Sequence, residues 1–133
     1  MFYHFSIIAF FSVFAAPVFS QYDPQYQDQL TGTWKGTSAC QLRGSPCRDE
    51  IVAYHISRLK QTDSFEIVMN KLVNGAEEQM IALHFAYDPV RKTLSTIYRL
   101  TSFWEFTWDG DMMYGTLIFD RELYRIIKLK KEK

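Results

Sequence analysis

The chain is long enough for one domain and carries no excess of charge, since its 133 residues include 15 acidic and 15 basic side chains. A chain of this length buries enough surface for one hydrophobic core without help from metals. The formal neutrality argues against a broad electrostatic role, such as binding nucleic acid or an anionic membrane surface.

The N-terminal segment differs in composition from the rest of the chain. Residues 1–20 contain no Asp, Glu, Lys or Arg but six of the eleven Phe residues. The apolar run 5–16 is shorter than the roughly 20 residues that a transmembrane helix needs, and an abruptly polar stretch begins at Gln21. The pattern is typical of a cleavable signal peptide over 1–20, followed by a polar N-terminal arm over 21–29. We therefore expect a secreted or periplasmic protein; a membrane anchor is the alternative.

Two cysteines, Cys40 and Cys47, lie close together after this segment. In an exported protein such a pair is most simply one disulfide bond, which closes a short loop. Two cysteines are too few for a metal site, so no metal is expected there. The braced loop over 41–48 is also a candidate surface for a protein partner, because a rigid loop loses little entropy on docking.

Short β-rich runs alternate with turn signals through the rest of the chain. The turn signals include Asn74-Gly75, Asp88-Pro89 and Asp109-Gly110, and no proline falls inside an intervening run, as a hydrogen-bonded ladder requires. The sequence predicts eight strands: Thr31–Cys40, Glu50–Leu59, Phe65–Val73, Glu78–Tyr87, Thr93–Leu100, Ser102–Trp108, Met112–Phe119 and Leu123–Lys130.

Apolar and polar side chains alternate in these runs with a period of two. In the sixth run, Trp104, Phe106 and Trp108 share one face. Glu105 and Thr107 share the other face. This alternation is typical of strands with one buried face, and helical templates fit it poorly.

The eight predicted strands follow one another along the chain with short connections. Eight consecutive strands with short connections leave two exposed edges unless the sheet closes, which favours a closed barrel. We therefore predict an all-β fold, an eight-stranded antiparallel up-and-down (meander) barrel, formed by residues 30–133 as a single domain. A two-sheet sandwich is the alternative.

In the eighth run, the basic residue Arg125 has the same phase as the apolar residues Leu123, Ile127 and Leu129.

The first run begins with the sequence Leu-Thr-Gly-Thr-Trp-Lys-Gly over 30–36. A Gly-X-Trp motif at the start of an eight-stranded meander resembles the calycin superfamily and favours a lipocalin-like small β-barrel. The resemblance implies that Trp34 closes one end of the barrel beside Gly32, and that a basic residue of the last strand packs across the indole ring. Arg125 is the candidate for that basic residue. The chain also resembles exported bacterial lipocalin-like domains of unassigned function that carry Gly-Thr-Trp, a cysteine pair and an Asp-Gly hairpin before Gly-Thr-Leu, here at 115–117.

No arrangement of side chains in the sequence predicts catalysis. His55 and His84 both lie inside strands, and they would ligate haem iron only if they faced each other inside the barrel. The carboxylate pairs Asp49-Glu50 and Glu77-Glu78 fall beside loops, where solvated charges at the rim explain them. We expect no enzyme, no cofactor and no metal, and keep a haem-binding or enzymatic calycin-like protein as an alternative.

Aromatic side chains give the richest functional signal. They predict either a plain filled core or the lining of a cavity for a small apolar ligand, and the sequence leaves both open. The favoured function is the binding of a small apolar ligand by a monomer; the alternative is a loop-mediated protein-binding or inhibitor module. The candidate lining residues are Trp104, Phe106, Trp108, Tyr98, Tyr114 and Met112.

Overall fold

A computed structural model describes Ser12, residues 29–60 and residues 62–133. The predicted signal peptide, apart from Ser12, and most of the predicted polar arm lie outside these residues, so both assignments stay predictions. Within the described part of the chain, no helix is long and apolar enough to span a membrane.

Eight strands form one closed antiparallel barrel, in which each strand pairs with its neighbours in the chain and β1 pairs with β8. This topology confirms the predicted all-β up-and-down barrel, and the strands do not separate into two sheets. The strands are β1 (Gly32–Cys40), β2 (Glu50–Arg58), β3 (Ser64–Val73), β4 (Ala76–Asp88), β5 (Thr93–Tyr98), β6 (Ser102–Asp109), β7 (Met112–Phe119) and β8 (Glu122–Lys131).

The predicted strand boundaries are close to the observed ones, with a clear difference at the end of β5. The predicted run continues to Leu100, but β5 ends at Tyr98. Arg99 and Leu100 have positive φ angles, 52° and 63°, and form the turn to β6 instead. A positive φ interrupts the extended backbone, so the hydrogen-bonded ladder stops there.

The predicted two-residue alternation is confirmed in β6. Phe106 and Trp108 are buried, whereas Thr107 and Asp109 are exposed. Apolar side chains from all eight strands form one core in the same way. Their burial stabilises the barrel by roughly 25 cal/mol for each Å² of apolar surface removed from water.

The two ends of the barrel are built differently. At the end where β1 begins, the Trp34 indole is fully buried, and its Nε1 donates a hydrogen bond to the Leu30 carbonyl oxygen at 2.9 Å. We call this the Trp34 end. The opposite end, where β8 begins, carries Arg125, the loop between β1 and β2, and the turn at Asn74 and Gly75. We call it the Arg125 end.

The predicted packing of Arg125 across the Trp34 ring is wrong. In the β1–β8 pair, Trp34 lies opposite Lys131. Arg125 lies opposite Cys40, six residues further along β1, which is about 20 Å of extended strand. The basic residue of β8 at the Trp34 end is Lys131, whose Nζ donates to the Gln29 carbonyl oxygen at 2.7 Å. Arg125 therefore belongs to the other end of the barrel.

The apolar phase predicted for the start of β8 is wrong at Leu123. Leu117 of β7 pairs with Arg125, and the next residue of β7 pairs with Leu123. Tyr124 is therefore an extra residue in β8, a β-bulge. The bulge changes the facing of the residue before it, and Leu123 is 41% exposed instead of buried.

Glycines shape β1 where it meets β8. A Cβ at Gly36 would overlap the backbone carbonyl oxygen of Lys128. Because that oxygen belongs to the ladder, it cannot move aside cheaply, and position 36 requires glycine. Gly32 has a φ of 138°, which L side chains rarely adopt, so glycine also suits the entry to β1.

Replacing Gly36 by Ala is expected to lower the free energy of unfolding by about 3 kcal/mol, because the added methyl group forces β1 and β8 apart. Urea unfolding followed by Trp fluorescence measures the change. Thr37→Ala, at the exposed neighbouring position, is the control and should cost less than about 1 kcal/mol. Equal stability of the two variants would contradict the close contact between the strands.

Candidate functional site

Two of the predicted lining residues belong to a filled core. Phe106 is fully buried, and its ring centroid lies 6.1 Å from that of Tyr54 and 5.6 Å from that of Phe85. Trp108 is 5% exposed, and its Nε1 donates to the Gly110 carbonyl oxygen at 2.6 Å. These contacts fill the barrel around β6 with side chains, which is the filled-core alternative of the sequence analysis.

Tyr114 and Met112 do not join this interior, because the inward phase of β7 is the other one. Tyr114 is 47% exposed, whereas Met113 is fully buried. The next inward position is Gly115, where a Cβ would overlap the Phe106 ring. The Phe106 side chain of β6 fills this level of the barrel. Met112 and Tyr114 of β7 were predicted to face inward, although Met113 and Gly115 do so.

Trp104 and Tyr98, the other two predicted lining residues, lie towards the Arg125 end. Both are partly buried and pack against the core. The Trp104 ring stacks on that of Phe106, with centroids 6.4 Å apart and an angle of 17° between the planes. The Tyr98 ring lies 5.0 Å from the guanidinium carbon of Arg99 in the turn to β6. Trp104 therefore marks the boundary between the filled core and the Arg125 end.

A cavity of about 180 Å³ lies beside Trp104 at the Arg125 end. It is smaller than the roughly 300–1,000 Å³ of sites for drug-sized ligands, but larger than the engineered cavity of about 150 Å³ that holds benzene. Its lining combines apolar side chains with a cation, a carboxylate and hydroxyl groups. The lining residues are Ser38, Glu50, Tyr54, Met69, Met80, Ile81, Trp104 and Arg125.

Arg125 is the best-connected polar residue of this lining. Its side chain is 11% exposed, and its Nη1 donates to the carbonyl oxygen of Ser38 at 3.1 Å and to the Ser38 Oγ at 3.2 Å. The same nitrogen donates to the Arg48 carbonyl oxygen at 3.0 Å. These bonds join β8 to β1 and to the loop that precedes β2. A buried guanidinium needs such acceptors, because burial removes its water.

Glu50 is the negative partner of Arg125. Its Oε1 lies 3.5 Å from the Arg125 Nη2, which is longer than the roughly 2.7–2.9 Å of a charge-assisted hydrogen bond. The assignment of Glu50 to a solvated rim is therefore wrong, since its side chain is only 24% exposed. The two-residue alternation of β2 could have predicted that Glu50 faces inward, because it has the same phase as the buried residues Val52 and Tyr54.

Tyr54 adds a neutral phenol to the cavity. Its side chain is almost fully buried. Burial raises the pKa of Tyr54 well above its ordinary value of 10.0, the Glu50 carboxylate raises it further, and the Arg125 guanidinium lowers it in part. The phenol therefore keeps its proton at neutral pH and can donate a hydrogen bond.

A second β-bulge shapes the apolar wall of the cavity. Met69 of β3 pairs with Ile81, and the next residue of β3 pairs with Gln79. Met80 is therefore an extra residue in β4. As a result, the consecutive residues Met80 and Ile81 both line the cavity, which a regular strand would not allow.

The indole nitrogen of Trp104 is buried and has no hydrogen-bond partner among the described residues. By contrast, the indole nitrogens of Trp34 and Trp108 donate to the carbonyl oxygens of Leu30 and Gly110. A buried N–H group without an acceptor costs about 1–3 kcal/mol. Because this nitrogen is closed to solvent, Trp104 lines the cavity with other atoms of its ring.

The two histidines lie on the outer wall and do not face each other inside the barrel. Nδ1 of His55 lies 3.0 Å from the Thr33 Oγ1, and its Nε2 lies 2.5 Å from the Glu77 Oε1. Nε2 of His84 lies 3.3 Å from the Glu66 Oε2. The arrangement that would ligate haem inside the barrel is therefore not formed. Within the described ranges, no group of three His, Cys, Asp or Glu residues could hold a metal ion.

The second carboxylate pair of the sequence analysis is exposed, as predicted for rim charges. Glu77 accepts hydrogen bonds from His55 and Asn70, and these bonds, the one from His55 above all, lower the pKa of Glu77. Glu78 lies 3.8 Å from the Lys71 Nζ. Neither carboxylate lines the cavity.

The predicted disulfide between Cys40 and Cys47 is confirmed and braces the loop between β1 and β2. Two further contacts hold this loop at the Arg125 end. The Asp49 Oδ1 accepts a hydrogen bond from the Cys40 N–H at 2.8 Å, and the Arg48 carbonyl oxygen accepts one from Arg125. The loop is thus fixed to the rim of the cavity. A protein partner at this loop stays a prediction.

The raised pKa of Tyr54 predicts a loss of stability at alkaline pH. The phenol ionises more readily in the unfolded chain, so its contribution is present below pH 10 and is lost as the pH rises above it. Urea unfolding between about pH 8 and pH 11 measures the slope, which should be shallower in Tyr54→Phe than in the wild type. Tyr114→Phe, at an exposed position, should keep the wild-type slope. An unchanged slope in Tyr54→Phe would contradict the burial of the phenol.

Comparisons with known proteins add no relative: no family model matches the chain, and no curated protein or solved structure matches it. The site is therefore defined by its own geometry. At the Arg125 end, a fixed cation, a loosely paired carboxylate, a neutral phenol and the ring of Trp104 surround a small cavity with an apolar wall.

Proposed function

We propose that the protein binds a small amphipathic molecule at the Arg125 end of its barrel. The observation that carries the proposal is the cavity of about 180 Å³, where the buried cation of Arg125 and its loosely paired carboxylate lie beside apolar side chains. Ligand sites usually combine an apolar wall with a few polar groups that fix orientation. Met69, Ile81 and the Trp104 ring take the hydrocarbon part of the ligand, and Arg125 holds its polar part.

The volume of the cavity fits a single ring or a short chain, since a cavity of about 150 Å³ holds benzene. The sequence analysis expected a small apolar ligand along the aromatic face of β6. Phe106 and Trp108 are buried in the core at that level, so the proposed site lies at the end of the barrel instead. The ligand is amphipathic rather than purely apolar, because the site includes the Arg125 charge.

The proposal includes a calycin-like, exported protein with a binding role. The closed eight-stranded barrel with Trp34 buried at one end is consistent with a calycin-like fold. The leader pattern over 1–20 and the Cys40–Cys47 disulfide support a secreted or periplasmic location, because disulfides persist in oxidising compartments. Binding is favoured over catalysis because the Ser38 hydroxyl of the cavity accepts from Arg125 rather than pairing with a base.

The indole N–H groups of the three tryptophans provide an internal test of the site. Adding benzyl alcohol, benzamide or benzoate to isotope-labelled protein should shift the Nε1–H nuclear magnetic resonance signal of Trp104. The signals of Trp34 and Trp108 should move little, because neither residue lines the cavity, whereas Trp104 does.

A pair of matched substitutions controls this titration. Ile81→Phe fills the cavity and should abolish the shift of the Trp104 signal. Ile97→Phe makes the same change on the outer wall, at a residue that is 65% exposed, and should leave the shift intact. The proposal would be wrong if none of the three compounds shifted the Trp104 signal. It would also be wrong if Ile81→Phe bound them as the wild type does.

A further inference from the structure

We infer that the polar group of the ligand is a carboxylate, which binds Arg125 in the place that Glu50 occupies. The inference rests on the proposed binding site and names the chemical class of its ligand, a small aromatic or short-chain carboxylic acid. Glu50 is then an internal stand-in for that ligand. Two features carry the inference: the loose ion pair between Glu50 and Arg125, and the unequal burial of its two members.

The guanidinium of Arg125 is well bonded on one side and loosely paired on the other. Its Nη1 has three oxygen acceptors at distances from 3.0 to 3.2 Å. Its Nη2 faces the Glu50 Oε1 at 3.5 Å, outside the roughly 2.7–2.9 Å of a charge-assisted hydrogen bond. A ligand carboxylate that approaches Nη2 to that shorter distance gains an interaction that Glu50 does not make.

Glu50 is easier to displace than Arg125. The guanidinium is fixed by the carbonyl oxygens of Ser38 and Arg48, and its departure would break both hydrogen bonds. Glu50 is the first residue of β2 and is more exposed than Arg125, so its carboxylate can turn into solvent and regain hydration. An incoming carboxylate keeps the buried charge of Arg125 compensated, which a neutral ligand cannot do.

The other polar groups of the cavity also suit a carboxylate. The Tyr54 phenol is protonated at neutral pH and is a hydrogen-bond donor. A carboxylate has two acceptor oxygens, so it can bind Arg125 and still accept from a second donor. The apolar remainder of the ligand then lies against Met69 and Ile81.

Benzoate and benzamide form a matched pair of probes, because they have nearly the same shape and only benzoate is ionised. Titration of the Trp104 Nε1–H signal gives a dissociation constant for each. We expect the wild-type protein to bind benzoate at least about tenfold more tightly than benzamide, because hydrogen bonds to a charged group are stronger than neutral ones.

Glu50→Gln tests the exchange itself. Removing the competing carboxylate should tighten benzoate binding about tenfold and leave benzamide binding within about twofold. Arg125 then lacks its negative partner, so the thermal unfolding midpoint should fall, and benzoate but not benzamide should restore it. Glu66→Gln makes the same change on the outer wall, where Glu66 pairs with His84, and should behave like the wild type.

The outcomes separate the inference from the proposed function. Equal wild-type affinities for benzoate and benzamide would overturn the carboxylate inference and leave the cavity as a binding site. Benzoate binding that Glu50→Gln does not improve would also overturn it, as would a Glu50→Gln protein that benzoate fails to stabilise. If benzyl alcohol, benzamide and benzoate all leave the Trp104 signal in place, the proposed function itself is wrong.

Discussion

A positive charge in a protein interior has to be compensated, because its transfer from water costs several kcal/mol even after the surroundings relax. In this barrel that charge belongs to Arg125 of β8, and the groups that compensate it come from β1, from β2 and from the loop between them. The carbonyl oxygens of Ser38 on β1 and of Arg48 in the loop between β1 and β2 accept its hydrogen bonds, and the carboxylate of Glu50 faces its second nitrogen. One side chain of β8 thus holds two other segments of the chain at the end of the barrel that contains the cavity.

Core packing fills the middle of the barrel, and the cavity beside Arg125 lies at the end of that packing. At the level of Phe106, large rings meet edge to face. The Phe106 ring also occupies the space that a side chain at position 115 would need. Towards the Arg125 end the strands carry two β-bulges, at Met80 and Tyr124, and each lies next to a residue of the cavity lining. Bulges change which way neighbouring side chains face, so they shape a binding site without altering the topology of the barrel.

Much of the fold could be predicted from the sequence, because two-residue alternation and turn residues mark each strand, and unprotected edges favour closure. The alternation in β2 also indicated that Glu50 faces inward, although the sequence analysis placed it among the solvated charges at the rim. The separation of Trp34 and Arg125 follows from strand direction, since the end of β8 lies beside the start of β1. The bulge at Tyr124 could not be predicted, because one extra residue leaves no mark in a sequence that is apolar on both faces there. The cavity depends on how whole side chains pack, which a single strand pattern does not contain.

A crystal structure of the protein grown with benzoate tests the central claim most directly, because it shows which carboxylate binds the buried guanidinium. The account predicts benzoate at the Arg125 end, with a carboxylate oxygen about 3 Å from the Arg125 Nη2 and the Glu50 side chain turned towards solvent. Its ring should lie against Met69 and Ile81, with Trp104 alongside. Benzoate bound elsewhere on the barrel, or an Arg125–Glu50 pair that persists with the ligand present, would contradict the account.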